Sequence, residues 1–365
     1  MRIFYASATT PNAHMQSDLW RSNLYLALRD LGHDLVEFEY DLRETFRKLD
    51  SSILDQRAYI RENRPKLTAA LMSQIKAAQR LARIDLFFSY FYDACVLPQA
   101  IDEIRSMGIK TVNWYCNGSY QLHLVRQISP HYDWCLVPEK FRLEDYARMN
   151  ARPIYCQEAA NPNVYKPYDV PVEFDVTFSG QKYGDRPTYI HRLIETGVDV
   201  RVWGPNWRQP PRRSLQWPRV LRRAKRTLLG QPWIEIPVDR CGPPLSDDEY
   251  IKMYSRSKIS LGFSKVAGGY AEGEPIKQVR LRDFEAPMSG AFYLAEYFDE
   301  LADFFEPGKE IVCFTDPEDL VEKVRYYLAH DEARERIRRA GMLRARSEHT
   351  WHKRFEMVFK EMGLI

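Results

Sequence analysis

Short apolar runs alternate with longer helical stretches throughout the sequence, and this alternation constrains the fold more than any other feature. In the first half, six runs have the length and composition of strands: residues 1–6, 34–38, 86–90, 110–115, 133–137 and 154–156. A helix that ends at Gly32 separates the first two, and residues 44–82 are predicted to be helical without candidate chemistry. Strands that alternate with helices form parallel sheets, so a doubly wound α/β sheet is predicted.

A stretch rich in proline and asparagine, residues 161–167, interrupts the pattern and is interpreted as an interdomain linker. A second series follows, with strands predicted at 174–178, 198–203, 259–263, 291–294 and 311–314. Its helices are predicted at 187–195, after Ser246, from Glu285 onward, and as a charged pair from Pro317. Two halves of this kind predict two Rossmann-like domains that face each other across a cleft.

Composition narrows the class of protein. Among 365 residues, 53 Lys and Arg nearly balance 50 Asp and Glu, which argues against a nucleic-acid partner. No run approaches 18 apolar residues, so no membrane-spanning helix is expected. The sequence opens directly on a strand pattern without a signal-peptide core, and its 6 cysteines stand singly. We therefore expect a cytoplasmic protein without a zinc site or disulfide framework.

The most informative stretch for chemistry is residues 280–291. It places Arg280, Arg282 and Glu285 at the start of a predicted helix that ends in Ser289 and Gly290. Arginine suits a diphosphate because its planar fork donates two hydrogen bonds, and a carboxylate suits paired ribose hydroxyls. The alternative is that Arg282 and Glu285 form a surface ion pair on the helix.

A glycine-containing loop follows the first strand of the second half. Gly180, Lys182 and Arg186 in this loop combine close backbone approach with positive charge near a helix N-terminus, which favours an anion site. The spacing matches neither the P-loop nor the G-x-G-x-x-G pattern. The alternative is an ordinary turn that binds nothing.

The first half contributes one catalytic candidate and two candidates for the acceptor side of a site. His14 lies in the loop after the first strand, as a general base or as a contact to a phosphate or a sugar hydroxyl. The alternative is an exposed loop histidine. Trp114 and Asn117 close another strand and are candidates for lining an acceptor pocket, against the simpler interpretation of a buried strand and a turn.

Residues 208–226 contain eight Lys and Arg and no acidic residue, with apolar residues between them. This pattern is compatible with an amphipathic element that contacts an anionic membrane or a polyanionic acceptor. A solvated insertion packed on its own domain is the alternative. Asp247 and Asp248 follow Ser246 at a predicted helix N-terminus, where acids favour the helix dipole, so no metal site is expected there.

Several motifs in order resemble the C-terminal domain of GT-B glycosyltransferases. They are the stretches at residues 241–250, 253–254, 259–263 and 281–291. The stretches at 305–310, 316–320 and 349–354 resemble the CgeB-like, spore-maturation branch in particular. The first half resembles the N-terminal domain of that branch more loosely, through residues 111–115 and 159–167.

The resemblance implies an acceptor-side domain at 1–165, a nucleotide-sugar domain at 166–345, and a C-terminal helix at 346–365 that returns to the first domain. It implies transfer of a sugar from a nucleoside diphosphate sugar to an unidentified acceptor, with no metal and no further cofactor. Arg282 and Lys182 would then stabilise the leaving diphosphate, while Glu285 matches the second of two donor glutamates eight residues apart. Lys277 occupies the position of the first, which leaves the sugar contact open.

Two alternatives stay open. A same-fold epimerase or phosphorylase would use the same nucleotide sugar, since a fold does not determine the reaction. A non-catalytic protein that binds a nucleotide sugar or a polyanion would bind without turnover. For the transferase, the expected location is the cytoplasm, with the basic segment 208–226 allowing contact with the inner membrane face.

Overall fold

Two six-stranded parallel sheets organise the chain, one in each of two units. The computed structural model describes residues 1–7, 18–208, 234–271 and 274–365, with the backbone alone for 267–271 and 274. The first unit comprises Met1–Tyr165, Gly268–Glu285 and Ala345–Ile365. The second comprises Lys166–Ala267 and Ala286–Arg344.

The first sheet is built from strands β1 Arg2–Ala6, β2 Asp34–Glu37, β3 Leu86–Ser89, β4 Lys110–Trp114, β5 Trp134–Val137 and β6 Pro153–Tyr155. Their order across the sheet is β2-β1-β3-β4-β5-β6, and each neighbouring pair is parallel. In the register of the sheet, Phe4 lies opposite Val36 on one side and Phe87 on the other. The residues of β3 and β5 are buried along their whole length, as expected for a parallel sheet covered on both faces.

The second sheet is built from strands β7 Phe174–Ser179, β8 Val200–Trp203, β9 Cys241–Gly242, β10 Ser257–Gly262, β13 Tyr293–Glu296 and β14 Val312–Phe314. Their order is β14-β13-β10-β7-β8-β9, again with parallel neighbours. Strands β11 Lys265–Ala271 and β12 Glu274–Lys277 form a separate pair. The order runs outward in both directions from β7 and β10, so the chain reverses its course between these two strands.

The described helices are α1 Leu26–Asp30, α2 Leu54–Leu81, α3 Pro98–Ser106, α4 Gly118–Gln121, α5 Leu143–Arg148, α6 Arg186–Glu195, α7 Asp247–Ser255, α8 Leu281–Met288, α9 Pro317–Ala329, α10 Asp331–Glu348 and α11 Trp351–Glu361. A π-helical turn at Arg21–Tyr25 leads into α1. Shorter 3₁₀ turns occur at Thr45–Arg47, Leu122–Leu124, Ser129–His131, Lys140–Arg142, Val238–Arg240 and Asp299–Asp303. No described helix is both long enough and apolar enough to cross a bilayer.

Helix α11 supplies part of the hydrophobic core of the first unit. Its side chains Trp351, Phe355, Val358 and Phe359 are buried within that core. The Trp351 ring meets the ring of Trp114 edge to face, with centroids 5.1 Å apart. The first core is therefore assembled from residues at both ends of the sequence shown.

The predicted α/β class with two doubly wound parallel sheets is confirmed, but two helix boundaries were wrong. The helix predicted over residues 44–82 begins only at Leu54, because the Asp50 carboxylate accepts hydrogen bonds from the N–H and hydroxyl of Ser52 and stabilises a turn instead. The helix predicted from Glu285 begins at Leu281. There, the carboxylate of Asp283 accepts a hydrogen bond from the backbone N–H of Arg280 at 2.7 Å, as a capping residue does.

Candidate active site

The loop between β7 and α6 begins at the carboxyl end of β7, beside the reversal between β7 and β10. In open α/β sheets this is the position where ligands bind. The N–H of Gly180 donates to the Trp203 carbonyl at 2.8 Å, and the Gly180 carbonyl accepts from the Trp207 indole at 2.6 Å. A Cβ added at Gly204 would lie 2.4 Å from that carbonyl oxygen. The base of the loop is therefore fixed by close backbone packing.

Lys182 lies in this loop and Arg186 is the first residue of α6; both are predicted anion-binding residues, and their environments differ. Lys182 is half-buried, with its Nζ 5.8 Å from the centre of the Trp207 ring. Arg186 is buried, and its guanidinium donates to the Gln181 carbonyl at 2.9 Å and to the Tyr183 hydroxyl. Arg186 thus stabilises the loop from within, and its predicted contact with a phosphate stays a prediction.

A buried ion-pair network, which the sequence analysis missed, lies at the same edge of the second sheet. Glu296, at the end of β13, is 1% exposed and accepts hydrogen bonds from the N–H and hydroxyl of Ser264 at 3.2 Å. Lys265 pairs with Glu296 at 3.1 Å and also with Asp185. Burial alone would lower the pKa of Lys265, but these two carboxylates raise it above its usual range. Lys265 therefore remains a cation at the mouth of the loop.

Arg280, Arg282 and Glu285 lie in the segment that groups with the first unit. Because α8 begins at Leu281, Arg280 immediately precedes the helix, Arg282 lies in its first turn, and Glu285 lies about one turn further in. Glu285 is buried, at 3% exposure. Its surroundings include a second buried carboxyl, that of Glu158, which the sequence analysis did not single out.

Glu158 lies in the chain just after β6, and the pKa of its carboxyl is raised. Burial raises this pKa well above its usual range, Arg280 opposes the rise, and the charges of Glu139, Glu285 and Asp283 add to it. The structure therefore brings Arg280 and Glu285 together in a cluster of buried acids. Buried acids with raised pKa values are frequent at functional sites.

The carboxyl edge of the first sheet holds the two predicted acceptor-side residues. Trp114 is fully buried against Trp20 and Trp351, so it belongs to the core. Asn117 is half-buried, donates to the Tyr90 hydroxyl at 3.5 Å and accepts from the Tyr120 hydroxyl at 3.1 Å. Of the two, Asn117 is the one whose side chain reaches the edge.

Glu139 follows β5 at the same edge and was also missed by the sequence analysis. One carboxylate oxygen accepts from the N–H of Ser119 at 3.2 Å, and the side chain is 3% exposed in total. Burial raises the pKa of Glu139 to about 7, against the effect of the hydrogen bonds it accepts from the main chain. A carboxylate two residues after a buried strand was a visible signal, but its burial depends on residues distant in sequence.

Ser289 and Gly290 lie between α8 and β13, at the amino end of β13. This is the edge of the second sheet opposite to Gly180 and Lys182, so the structure does not bring these two pairs together. Gly290 has φ +78°, and a Cβ there would lie 3.0 Å from the side chain of Pro167. Its carbonyl accepts a hydrogen bond from Arg338 at 3.2 Å.

Other predicted features fall partly outside the described residues. His14 lies outside them, as does the basic segment from 209 to 226, whereas Arg208 donates to the Cys241 carbonyl at 3.0 Å. The predicted helix start at Asp247 is confirmed, because the Ser246 hydroxyl accepts from the N–H of Glu249 at 3.3 Å. Within the described ranges, no group of three or more His, Cys, Asp or Glu side chains has the arrangement of a metal site.

Comparison with known proteins gives the second half of the chain a family resemblance. Residues 186–360, a little under half of the 365, match the model of the glycosyl transferase-like family. No curated protein matches the sequence.

Solved structures match the chain over nearly its whole length. A sucrose-phosphate synthase from Thermosynechococcus elongatus is 13% identical, with a TM-score of 0.61 and 99% of each chain covered. A glycosyltransferase from Rickettsia africae is 11% identical, with a TM-score of 0.58, covering 99% of this chain and 98% of that one. The Anabaena protein HepE, in complex with UDP-glucose, is 10% identical, with a TM-score of 0.57, covering 100% of this chain and 99% of that one.

These likenesses establish a shared fold, and the family match adds the class of activity. Both six-stranded sheets with their flanking helices correspond to the GT-B architecture. The protein is thus a transferase on the GT-B fold, with a glycosyl transferase-like region at residues 186–360.

Proposed function

We propose that the protein transfers a sugar from a nucleoside diphosphate sugar to an acceptor hydroxyl without a bound metal ion. The supporting observation is the loop between β7 and α6, with half-buried Lys182 beside the strand-order reversal of the second sheet. This loop directly precedes the region that matches the glycosyl transferase-like family.

The chemistry needs compensation of the charge that develops on the departing group. The bond between the anomeric carbon and the diphosphate oxygen breaks, the diphosphate leaves with the electron pair, and the acceptor oxygen bonds to the carbon and loses its proton. Lys182, Arg280 and Arg282 supply positive charge for the diphosphate, an electrostatic contribution that replaces a metal ion. Glu285 accepts hydrogen bonds from the ribose, and His14 is the proposed base.

The donor is proposed to be a UDP-sugar in the first instance, because the fold neighbour HepE was solved with UDP-glucose. Within the fold, the first sheet supplies the acceptor side through Asn117. We further propose that the chain is of the CgeB-like type and acts in the cytoplasm, with residues 208–226 in contact with anionic lipid. Co-sedimentation with vesicles tests this contact, and binding that does not change with anionic lipid content would count against it.

The deciding experiment is a thermal-shift panel of UDP, GDP, ADP, dTDP and CMP, with Mg²⁺ or with EDTA. A ligand that binds only the folded state at 100 times its Kd adds about 2.7 kcal/mol of stability. We expect one diphosphate to raise the Tm equally in Mg²⁺ and EDTA. If none of the nucleotides shifts the Tm, the proposed donor site is wrong.

Incubation with the matching nucleotide sugar then separates the alternatives. A transferase consumes the donor in proportion to an added acceptor. An epimerase converts the sugar without any acceptor, and a phosphorylase requires inorganic phosphate. A binding protein leaves the nucleotide sugar unchanged.

A further inference from the structure

A pocket on the first unit, separate from the residues discussed so far, has one apolar and one cationic side. Its volume is about 250 Å³, slightly below the usual range for ligand pockets and suited to a group of monosaccharide size. Leu49, Ile60, Ala94 and Leu97 contribute apolar surface. Three arginines of α2, namely Arg57, Arg61 and Arg64, contribute the charge.

The pocket lies where an α/β sheet ordinarily binds its ligand. Leu49 belongs to the connection that leaves β2, Ala94 and Leu97 to the connection that leaves β3, and Gln127 to the connection that leaves β4. Strands β2, β3 and β4 all run in the same direction, because the pairs β1–β2, β1–β3 and β3–β4 are parallel. All three connections therefore leave from the carboxyl edge of the sheet. Ligands of open α/β sheets bind outside this edge.

The arginines are spaced four and three residues apart, which places them on one face of α2. Arg57 donates to the Ser51 carbonyl at 2.6 Å, and Arg64 donates to the Asp93 carbonyl at 3.0 Å and to the Gln127 side-chain oxygen at 3.1 Å. These acceptors are neutral. Throughout the described part of the chain, no carboxylate lies within ion-pair distance of Arg57, Arg61 or Arg64, whereas surface arginines such as Arg43 and Arg192 do have such partners.

Asp93 is the acidic residue in the pocket wall, and its carboxylate is hydrogen-bonded to main-chain N–H groups. Its carboxylate accepts from the N–H of Gln127 at 3.0 and 3.1 Å and from the N–H of Ile128 at 3.1 Å. The side chain is buried, and burial raises its pKa to about 6 although these hydrogen bonds oppose the rise. Asp93 therefore holds the wall in place through the main chain, and the charge of Arg64 acts on its carboxyl.

We propose that this pocket binds a phosphate monoester carried by the acceptor, with the remainder of the acceptor on the apolar surface. The planar guanidinium of arginine donates two hydrogen bonds in a geometry that matches phosphate oxygens. A phosphate monoester carries a charge of about −1.5 to −2, so it suits three cations better than a ligand with a single carboxylate would. The identification of this ligand as the acceptor rests on the proposed transferase function. Phosphate recognition itself does not depend on that function.

Calorimetric titration of the full-length protein tests the proposal. The ligands are glucose 6-phosphate, phenyl phosphate and dihexanoyl phosphatidic acid, with glucose as the uncharged reference. We expect at least one phosphate ester to bind at least tenfold more tightly than glucose, and binding to weaken as salt is added. Preference for the sugar ester indicates a soluble acceptor, and preference for phosphatidic acid indicates a lipid. If no phosphate ester binds more tightly than glucose, the proposal is overturned.

Matched variants locate the binding site. R57Q and R61Q remove one charge each from the exposed start of α2, and we expect each to raise the Kd about tenfold or more, as for loss of a charge-assisted hydrogen bond. The control R80Q changes an exposed arginine of the same helix, about 28 Å further along at 1.5 Å per residue, and should stay within twofold. Equal effects of R61Q and R80Q would overturn the proposal.

UDP binding, measured on the same samples, separates this inference from the proposed function. If the wild-type protein binds UDP but no phosphate ester, the pocket alone is contradicted. Phosphate-ester binding without binding of any nucleotide supports the pocket and contradicts the donor site.

Discussion

The guanidinium of Arg186 lies 3.7 Å from the centre of the Tyr183 ring and donates a hydrogen bond to the hydroxyl of the same residue. That hydroxyl in turn donates to the Lys265 carbonyl at 3.0 Å. A single phenol oxygen therefore connects the loop after β7 to the beginning of β11. The positive charge of Arg186 therefore contributes to the internal structure of the loop.

Removing the phenol oxygen should weaken this connection. Y183F leaves the ring under Arg186 but removes the acceptor for its guanidinium and the donor for the Lys265 carbonyl. We expect the free energy of unfolding to fall by about 1–3 kcal/mol, the usual cost of leaving a buried polar group without its partner. Denaturant unfolding measures this change. Y326F, at a tyrosine that is 49% exposed, is the control and should change stability little.

Lys182 should matter for the nucleotide more than for the fold. K182A is expected to raise the Kd for the bound nucleoside diphosphate about tenfold, because a charge-assisted hydrogen bond contributes roughly 1.5 kcal/mol or more. Calorimetric titration measures the effect. The control K309A removes an exposed lysine paired with Glu306 on the surface. Similar Kd values for K182A and K309A would contradict a role for Lys182 in the donor site.

Glu139 should make the protein less stable as the pH rises. Its folded-state pKa of about 7 exceeds the ordinary value of 4.5, so the folded state binds the proton more tightly than the unfolded state. The contribution of this proton to the free energy of unfolding is fully present below pH 4.5 and is lost as the pH rises through 7. At 1.36 kcal/mol per pKa unit, the total loss is about 3 kcal/mol.

E139Q tests this dependence, because glutamine retains a side-chain oxygen for the N–H of Ser119 and does not ionise. Urea unfolding at pH 4.5 and pH 8 should show the variant gaining stability relative to the wild type at the higher pH. A constant difference between the two proteins at both pH values would show that the ionisation of Glu139 is not linked to folding.

Helix α11 should contribute strongly to the stability of the first unit. W351A removes a fully buried indole that contacts Trp114, and a loss of about 3–5 kcal/mol is expected from the lost burial and the remaining cavity. Equilibrium unfolding by denaturant measures the loss. M357A, on the same helix at a residue that is 46% exposed, should cost much less. Comparable losses would mean that α11 is not an integral part of the core.

The class of fold was predictable because it depends on local patterns. Buried strands such as β3 and β5 are short apolar runs, and glycines such as Gly32 mark the ends of the helices between them. The two wrong helix boundaries each depended on a side chain that bonds to the nearby backbone, Asp50 in one case and Asp283 in the other. Such local competition changes a boundary without changing the class of fold.

The candidate site was less predictable because burial and pairing join distant residues. Nothing near Glu158 in the sequence indicates that Arg280 and Glu285 lie close to it. The spacing of Arg57, Arg61 and Arg64 was visible, but the pocket beside them requires Leu49, Asp93 and Gln127 from three other connections. Ser289 and Gly290 follow the end of α8 and precede β13, so they lie at the amino edge of the sheet and not at its carboxyl edge.

Because α11 belongs to the first core, that core is completed late in synthesis of the chain. Residues 166–344 lie between the first sheet and the helix that completes its core. A ribosome adding about 5–20 residues per second needs roughly 10–40 s to proceed from residue 165 to residue 351. During that interval the nascent first sheet lacks Trp351 and Phe355, so its apolar face is open to chaperones while the second unit is still emerging.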